Sequence, residues 1–398
     1  MKGSISPGPS PARIAIISNS QTPYRMHLHR RIVRELTEVE LWSVFTHEAS
    51  NSPWSIQPAP ELRPLYWGSG EKSEHQDHLL NQGHEWRKGG SILGWIAKND
   101  VRFVVLEGYN DVGRLRILWG CRRLGIPCFV FGDNNILADR PSLLKAIVKR
   151  PLVGRVVQCA TGVFYCGRLG RDYFRRYGAE EKRMFPFPYE PDYAVFESVP
   201  GAVADAIRQR YPVQPGRRYL IYSGRFVAVK RVDLLLKAFC EVAPQRPDWD
   251  LLLIGDGPLR GPLLDALSEQ IRRRIVCTGF ISDSAVIAGL YRMGDVLILP
   301  SDFDPWGVVV TEAAMASLAL ICSSVTGAGV ELVREGVNGR LFAAGDSAAL
   351  RDAMLDVTKA ENIDAMKSAS PEVLAEWRRS SDPVDGLRAS LRFAGTIQ

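Results

Sequence analysis

Ser301–Ala313 reads SDFDPWGVVVTEA, and the architecture of the chain turns on how it is parsed. Taken from the left, Asp302-Phe303-Asp304 is an acidic pair that could grip a divalent metal. Taken from Asp304 rightward, the same stretch is a carboxylate, a Gly turn, an apolar run and then Glu312. The second parsing is a strand handing over to a helix at the edge of a sheet, which is where doubly wound sheets bind ligands.

The surrounding chain favours that second parsing. Its 398 residues exceed what one hydrophobic core usually supports, so two domains are expected. Apolar residues make up 46% and charged ones 24%, an ordinary globular balance. No run approaches the roughly 18 apolar residues of a spanning helix. The opening MKGSISPGPSPAR is rich in Pro, Gly and Ser and lacks the apolar core of a signal peptide, so residues 1–12 are expected to be a disordered leader. Seven cysteines are scattered without C-x-x-C spacing, the pattern of buried reduced thiols in a cytoplasmic protein.

The net charge of +6 is uneven: residues 1–200 hold 27 Lys and Arg against 20 Asp and Glu, the remainder 23 against 24. The first half therefore faces something anionic. No zinc-finger spacing, RNA-binding signature or basic zipper accompanies the charge, so nucleic acid is not an expected partner.

Along the chain, apolar strand-like runs alternate with helical patterns. Arg13–Ser18 is read as a strand, Pro23–Leu36 as a helix and Val39–Phe45 as a strand, with irregular chain at Thr46–Glu74. Strands follow at Val101–Gly108, Pro127–Asp133 and Gly162–Cys166, with helices at Arg114–Leu124, Ser142–Val153 and Leu169–Tyr177. The Pro-rich Met184–Pro191 and the cluster at Pro212–Gly216 bracket a domain junction. A second series has strands at Tyr219–Ser223, Asp250–Gly255, Ile275–Thr278, Val296–Pro300 and Ala319–Cys322. Its helices are read at Arg231–Glu241, Leu259–Ile271, Ser282–Met293 and Gly307–Ala316. Strands apolar on both faces, each followed by a helix, indicate parallel sheets covered on both sides. The expected layout is an α/β chain of two Rossmann-like domains, 13–195 and 196–370, facing a central cleft. A helical tail, 371–398, is expected to pack back on the first domain.

The strand ends of the second domain gather chemistry at one edge. They are Ser223-Gly224-Arg225 with Lys230 beyond, then Ile254-Gly255-Asp256-Gly257-Pro258-Leu259-Arg260, Thr278-Gly279-Phe280 and Pro300-Ser301. Glycines and charges in register point to a phosphate-bearing ligand. A helix starting near Gly307 would turn the free amides of Gly307, Val308 and Val309, and the positive end of its dipole, towards a diphosphate. Glu312 lies deeper, placed for neutral hydroxyls such as those of a ribose, and Asp304 precedes the helix on the other side. The structural alternative makes Glu312 a plain helix carboxylate and Asp304 a cap.

These residues carry a resemblance. Gly224-Arg225 with Lys230 and Asp233 resembles the G-R-x₄-K-x₂-D pattern of glycosyltransferase family 4. Ile254–Arg260 is similar to its I-G-x-G-P turn, Asp304-Pro-Trp-Gly307 to Glu312 to its E-x₇-E signature, and Gly327–Gly339 to the segment that follows. The similarity is strong over residues 217–345. It implies a GT-B fold, retention of anomeric configuration, no required metal or other cofactor, and a nucleotide-sugar donor held mainly by the second domain. Under it, Arg225 and Lys230 meet the diphosphate, Glu312 the ribose, and Asp304 with the Gly307 turn the sugar. Gly224, Gly255, Gly257, Phe280, Trp306, Val308 and Val309 complete the donor site.

Departures stand beside it. Asp304 is one methylene shorter than the usual Glu. Ser317-Leu318-Ala319 replaces the usual Gly-x-Pro. A His common in the first domain is replaced by Gly132-Asp133-Asn134-Asn135, where Asp133 or Asn134 could reach the sugar or acceptor, or Asp133 could cap a turn. Tyr24 and Arg25, in Thr22-Pro-Tyr-Arg25, resemble a family loop. Tyr109 and Asn110 end a strand at the cleft and could touch the acceptor or simply pack the loop.

Other features weigh less. His75, His78 and His84 have metal-compatible spacing but read as a polar surface helix. The Gly255–Gly261 turn misses the dinucleotide fingerprint by one residue. Arg140–Arg155 is a basic amphipathic segment, either lying on an anionic membrane face or covering the first sheet with solvent outside. The sequence-level expectation is a metal-independent hexosyltransferase, cytoplasmic or peripheral at the inner membrane face, moving sugar from a UDP- or GDP-linked donor to a glycan or glycolipid hydroxyl. A GT-B-like epimerase, a phosphorylase and a non-catalytic nucleotide-sugar binder are the alternatives.

Overall fold

A computed structural model describes residues 10–48, 59–68, 70–71, 81–137, 139 and 143–398. Residues 1–9 of the expected leader, His75, His78 and Arg140 lie outside the described residues, as does the side chain of Lys145.

Strands β1 (Ala12–Ser18), β2 (Val39–Phe45), β3 (Leu65–Tyr66), β4 (Phe103–Glu107), β5 (Cys128–Gly132), β6 (Gly162–Tyr165) and β7 (Met184–Pro186) form one sheet in the order 3-2-1-4-5-6-7. Strands β8 (Arg218–Ser223), β9 (Trp249–Ile254), β10 (Ile275–Gly279), β11 (Val296–Leu299), β12 (Ala319–Ser323) and β13 (Gly339–Phe342) form the second, in the order 10-9-8-11-12-13. Every pairing between neighbours is parallel. Parallel pairing requires a crossover between consecutive strands, so each sheet is wrapped on both faces, and β4, β5, β9 and β11 are buried along their whole length. Order reverses beside β1 in one sheet and beside β8 in the other. The carboxyl ends at these two switch points face one another across the cleft, as the alternation of strands and helices implies.

Several boundaries depart from the sequence reading. Met184–Pro186, taken as a break, is the edge strand β7, because an edge position needs no amide from its prolines. Leu65–Tyr66, inside the stretch read as irregular, pairs with β2. Leu259–Ile271 is two short helices, Arg260–Asp265 and Glu269–Arg272, because Ser268 caps a new start through its side chain. The helix read from Ser142 to Val153 runs from Leu143 to Cys159. Arg231 is not helical: it sits at φ 51° and precedes Val232–Val242. All seven cysteines are unpaired.

After β7 the chain crosses to the second domain, where helices Tyr193–Glu197 and Gly201–Arg210 pack on helix Ser284–Arg292. It crosses back at its end. Helix Ala360–Ser381 packs against helices Val308–Met315 and Gly327–Leu332 and against β12, whereas helix Pro383–Phe393 packs on β7 and on helix Pro23–Glu35. Gly386 meets the Pro186 carbonyl so closely that no side chain fits there. Two chain crossings thus tie the back of the cleft.

Candidate active site

The β11–helix turn passes through a glycine and leaves backbone amides open at the start of the next helix. Gly307 caps helix Val308–Met315 at φ 85°, in the left-handed region that favours glycine, and a Cβ there would sit 3.1 Å from Thr326 and 3.2 Å from Leu299. The first amides of that helix have no intrahelical acceptor and open on the cleft. Asp304 is held by backbone, bridging to Thr326 and accepting the Gly327 amide through its carbonyl at 3.2 Å. Its carboxylate takes a hydrogen bond from Lys230 Nζ at 2.6 Å. Asp302 is instead held by Arg231 at 3.0 Å. Each carboxylate of the acidic pair therefore has its own cation.

Three cavities meet along the cleft. The central one, about 430 Å³, is lined by Arg225, Lys230, Asp304 and Gly307–Val309 from the second domain, and by Tyr24, Arg25 and Asp133 from the first. Arg225 is exposed to it. A second cavity of about 310 Å³ opens beside Gly224 and Arg225, between Gly255, Phe280, Ile281, Ile287 and Glu312. Its walls are mainly apolar and Phe280 is 42% exposed, which suits a flat base. Glu312 accepts from the Tyr291 hydroxyl at 3.2 Å, and burial pushes its carboxyl up to about 7. The third cavity, about 430 Å³, lies against the first domain around Glu107, Tyr109, Asn110, Asp133 and Asn134. Tyr24 and Arg225 line both the central and the apolar cavity, and Arg25 and Asp133 both the central and the first-domain one.

In the first domain, Thr22 caps helix Pro23–Glu35 and so aims Arg25 into the cleft wall. Burial opposes the Arg25 charge, but Glu107 at 2.5 Å overcomes it and keeps the guanidinium protonated. The guanidinium also donates to the Ser20 carbonyl at 2.9 Å and lies 5.8 Å from the ring centroids of Tyr24 and Tyr189. The Tyr109 hydroxyl donates to Asn134 Oδ1 at 3.0 Å and meets Tyr173 at 2.8 Å. Burial pushes the Asp133 carboxyl up, Arg25 pulls it down, and Glu107 and Asp304 push it further up.

Of the expected donor residues, Gly257 lies off the cavities, and Trp306 lines the central one but is tied into the domain seam. Trp306 is only 2% exposed: its indole donates to the Tyr189 carbonyl at 2.8 Å and packs on Trp377 at 5.4 Å, so its side chain serves the domain seam. Gly257 lies behind the β9 turn against the Phe226 backbone and lines none of the three cavities. His84, on helix Gln82–Lys98, bonds Glu71 at 2.9 Å.

The sequence reading gave no role to five contributors. Tyr189, inside the Pro-rich crossing, packs at a tilt against Tyr24 at 4.8 Å and edge-on to Phe131 at 5.1 Å, and lines the cleft. An aromatic among prolines was its one signal. Glu107 and Tyr291 look like ordinary strand and helix residues until the fold brings Arg25 and Glu312 to them. Glu331 accepts from the Arg168 amide at 2.7 Å and from the Trp377 indole at 3.0 Å, closing the seam. Asn135 donates to the Val325 carbonyl across the same seam at 2.7 Å.

Residues 217–360 match the family model for glycosyl transferases group 1. Alpha-D-kanosaminyltransferase of Streptomyces kanamyceticus is 25% identical over 284 residues, covering 69% of each chain. The chain spans only 33% and 40% of the length of the next two curated relatives. Among solved structures, sucrose-phosphate synthase of Thermosynechococcus elongatus superposes with a TM-score of 0.73 at 17% identity, over 96% of this chain and all of that one. The Anabaena protein HepE, solved with UDP and glucose, gives 0.68 at 16% identity over 97% and 99%. These two likenesses establish the GT-B fold.

Proposed function

We propose that this chain, a family 4-like glycosyltransferase of GT-B fold, moves a hexosyl unit from a UDP- or GDP-linked donor to a hydroxyl acceptor with retention of configuration and without a metal. The observation that carries this reading is one cavity where Arg225, Lys230 and the start of helix Val308–Met315 converge, open on one side to an apolar slot and on the other to a polar first-domain cavity. Base and ribose would occupy the slot, with the ribose hydroxyls on Glu312. The diphosphate would lie against the Gly307 turn, and the sugar between Asp304 and the first domain.

The chemistry is electrostatic. As the bond from the anomeric carbon to the phosphate oxygen breaks, charge grows on the leaving diphosphate, where Arg225, Lys230 and the helix amides would stabilise it. The acceptor oxygen forms the new bond to the same carbon on the same face. Its proton passes to the departing phosphate oxygen, so no protein base is required. A growing or lipid-linked glycan is the proposed acceptor. Contact with an anionic membrane through Arg140–Arg155 belongs to the same proposal: on helix Leu143–Cys159, Ile147 is 70% and Leu152 52% exposed beside the exposed Arg150 and Arg155. No helix among the described residues is long and apolar enough to cross a membrane.

Thermal-shift titration with UDP, GDP and ADP tests the donor half. A nucleotide at a hundred times its Kd stabilises by about 2.7 kcal/mol. If none stabilises, the reading fails. Sugar-nucleotide turnover that releases free nucleotide without acceptor would make the protein an epimerase instead.

A further inference from the structure

A fourth cavity, about 650 Å³, shares no lining residue with the three along the cleft. It is a surface hollow between helix Leu143–Cys159 and the end of helix Gly167–Arg176. Arg150, Arg155 and Arg176 line it, all three exposed, with Gln158 and Tyr177, and none of its lining residues is acidic. The excess of positive charge survives a count of the neighbours. Among the described residues no carboxylate lies within ion-pair distance of Arg150 or Arg155. Arg176 approaches Asp139 at 3.5 Å, but that carboxylate is already bonded to Lys149 and to the Tyr177 hydroxyl. Asp172, Glu180 and Glu181 are paired with Arg175, Lys182 and Arg171. With Asp139 set against Lys149, the charges of all three arginines remain, and the negative end of helix Gly167–Arg176 offsets about half of one.

Such a hollow fits a phosphate. A phosphomonoester carries about two negative charges at neutral pH, and its oxygens accept from several guanidiniums at once. The apolar side chains show where that phosphate would come from. Ile147, 70% exposed, stands one turn before Arg150 and Pro151 on the same stripe of the helix, and Leu152 beside them is 52% exposed. A soluble ester gives an exposed isoleucine nothing to bury against, whereas the acyl boundary of a bilayer does. Neither helix Leu143–Cys159 nor its neighbour Val112–Leu124 contains Asp or Glu to repel an anionic surface. Arg122 on that neighbour donates to the Gln158 carbonyl at 3.1 Å and so adds its charge beside the hollow. Lys149, next to Arg150 in the chain, lines the polar first-domain cavity, so a headgroup held in the hollow lies close to it.

We infer that this hollow binds the phosphomonoester headgroup of an anionic lipid, with Arg150, Arg155 and Arg176 on the phosphate and Ile147 in the acyl boundary. The inference rests on the membrane contact proposed above, which it narrows from a charged helix to one site with a stated ligand.

The full chain is co-sedimented with phosphatidylcholine vesicles given equal surface charge by phosphatidic acid, a phosphomonoester, or by phosphatidylglycerol, a diester. Phosphatidic acid vesicles are expected to bind about tenfold more tightly, the order of one added charged hydrogen bond. Arg155→Gln is expected to remove that preference, whereas Arg123→Gln, an equal loss of charge outside the hollow, keeps it. Ile147→Ser is expected to weaken binding to both vesicles. Glycerol 3-phosphate, the same phosphate without acyl chains, is expected to bind far more weakly than the vesicles. All three substituted positions are exposed, and unchanged circular dichroism in each variant shows the fold intact. Equal binding to the two anionic vesicles, or equal losses of preference in Arg155→Gln and Arg123→Gln, would overturn the site and leave only diffuse electrostatic contact. Glycerol 3-phosphate binding as tightly as the vesicles would give the hollow to a soluble ester and overturn the lipid. Binding to neither vesicle would remove the membrane contact as well. Nucleotide binding by the unmodified protein reads the transferase assignment separately.

Discussion

Lys230 Nζ lies 2.6 Å from Asp304 Oδ2, joining the β8 side of the second domain to the carboxylate that precedes the Gly307 helix turn. The lysine is thus positioned by the residue proposed to hold the sugar, and it lies where a diphosphate would share it. Lys230→Ala removes both the positive charge and the partner of Asp304. We expect kcat/KM to fall by about 10²–10³, the scale seen when one donor to a developing anion is deleted. Initial-rate kinetics with the stabilising nucleotide's sugar donor would check it. Unchanged turnover would remove Lys230 from the catalytic site, and nucleotide binding without turnover in either protein would make it a non-catalytic nucleotide-sugar binder.

Glu312 supplies a pH signature with two opposite signs. Its folded value near 7 lies above the ordinary 4.5, so between these values the folded protein holds a proton that the unfolded chain has lost. Its contribution to stability is therefore full at acid pH and lost as pH rises through about 7. Ribose hydroxyls donate to the ionised form, so nucleotide affinity should rise over the same window. Glu312→Gln should flatten both curves. Melting temperature and nucleotide Kd from pH 5 to 8, compared between the two proteins, give the readout.

Gly307→Ala separates backbone strain from charge. At φ 85° an L side chain is disfavoured, and the added Cβ meets Thr326 and Leu299 at 3.1–3.2 Å. A loss of about 1–2 kcal/mol in urea unfolding is expected, together with weaker nucleotide binding, because the amides that face the diphosphate must shift. A fully stable variant with normal affinity would show that the turn is not the anion site.

Trp306→Ala should act on stability first. With its indole 2% exposed, bonded to Tyr189 and packed on Trp377, truncation should cost about 3–5 kcal/mol in denaturant titration.

The contrast between Trp306 and Gly307 shows how far the sequence could be read. Gly307 followed from local geometry, because a glycine between a strand and an apolar helical run has few other uses. Trp306, its neighbour, was assigned to the donor, yet its environment is made by Tyr189 and Trp377, 117 residues before it and about 70 after it, and no periodicity reports such contacts. The strands were legible for the same local reason: β9 and β11 are apolar on both faces. The split of Leu259–Ile271 was not, because it depends on Ser268 capping rather than continuing a helix. Glu107 and Tyr189 stayed hidden because their chemistry is to hold Arg25, which only the tertiary fold brings to them. Motif-bearing strand ends could be read, and the residues that orient them could not.

Asp302 and Asp304, the acidic pair that first suggested a metal, give the last prediction. A divalent cation bridging them would have to displace Arg231 from Asp302, where it sits at 3.0 Å from both carboxylate oxygens, and Lys230 from Asp304. Each displacement leaves a guanidinium or ammonium beside a new dication, a like-charge contact. Arg231 is fixed further by Asp233 at 3.1 Å, so it is not free to swing aside. Transfer activity should therefore be unchanged by EDTA and not raised by added Mn²⁺ or Mg²⁺. Asp302→Asn should leave nucleotide affinity within about twofold, because that carboxylate only anchors Arg231 at an exposed position, where such pairs contribute little. A requirement for divalent metal that disappears in Asp302→Asn would restore the metal parsing of SDFDPWGVVVTEA and overturn the assignment of Asp304 to the sugar.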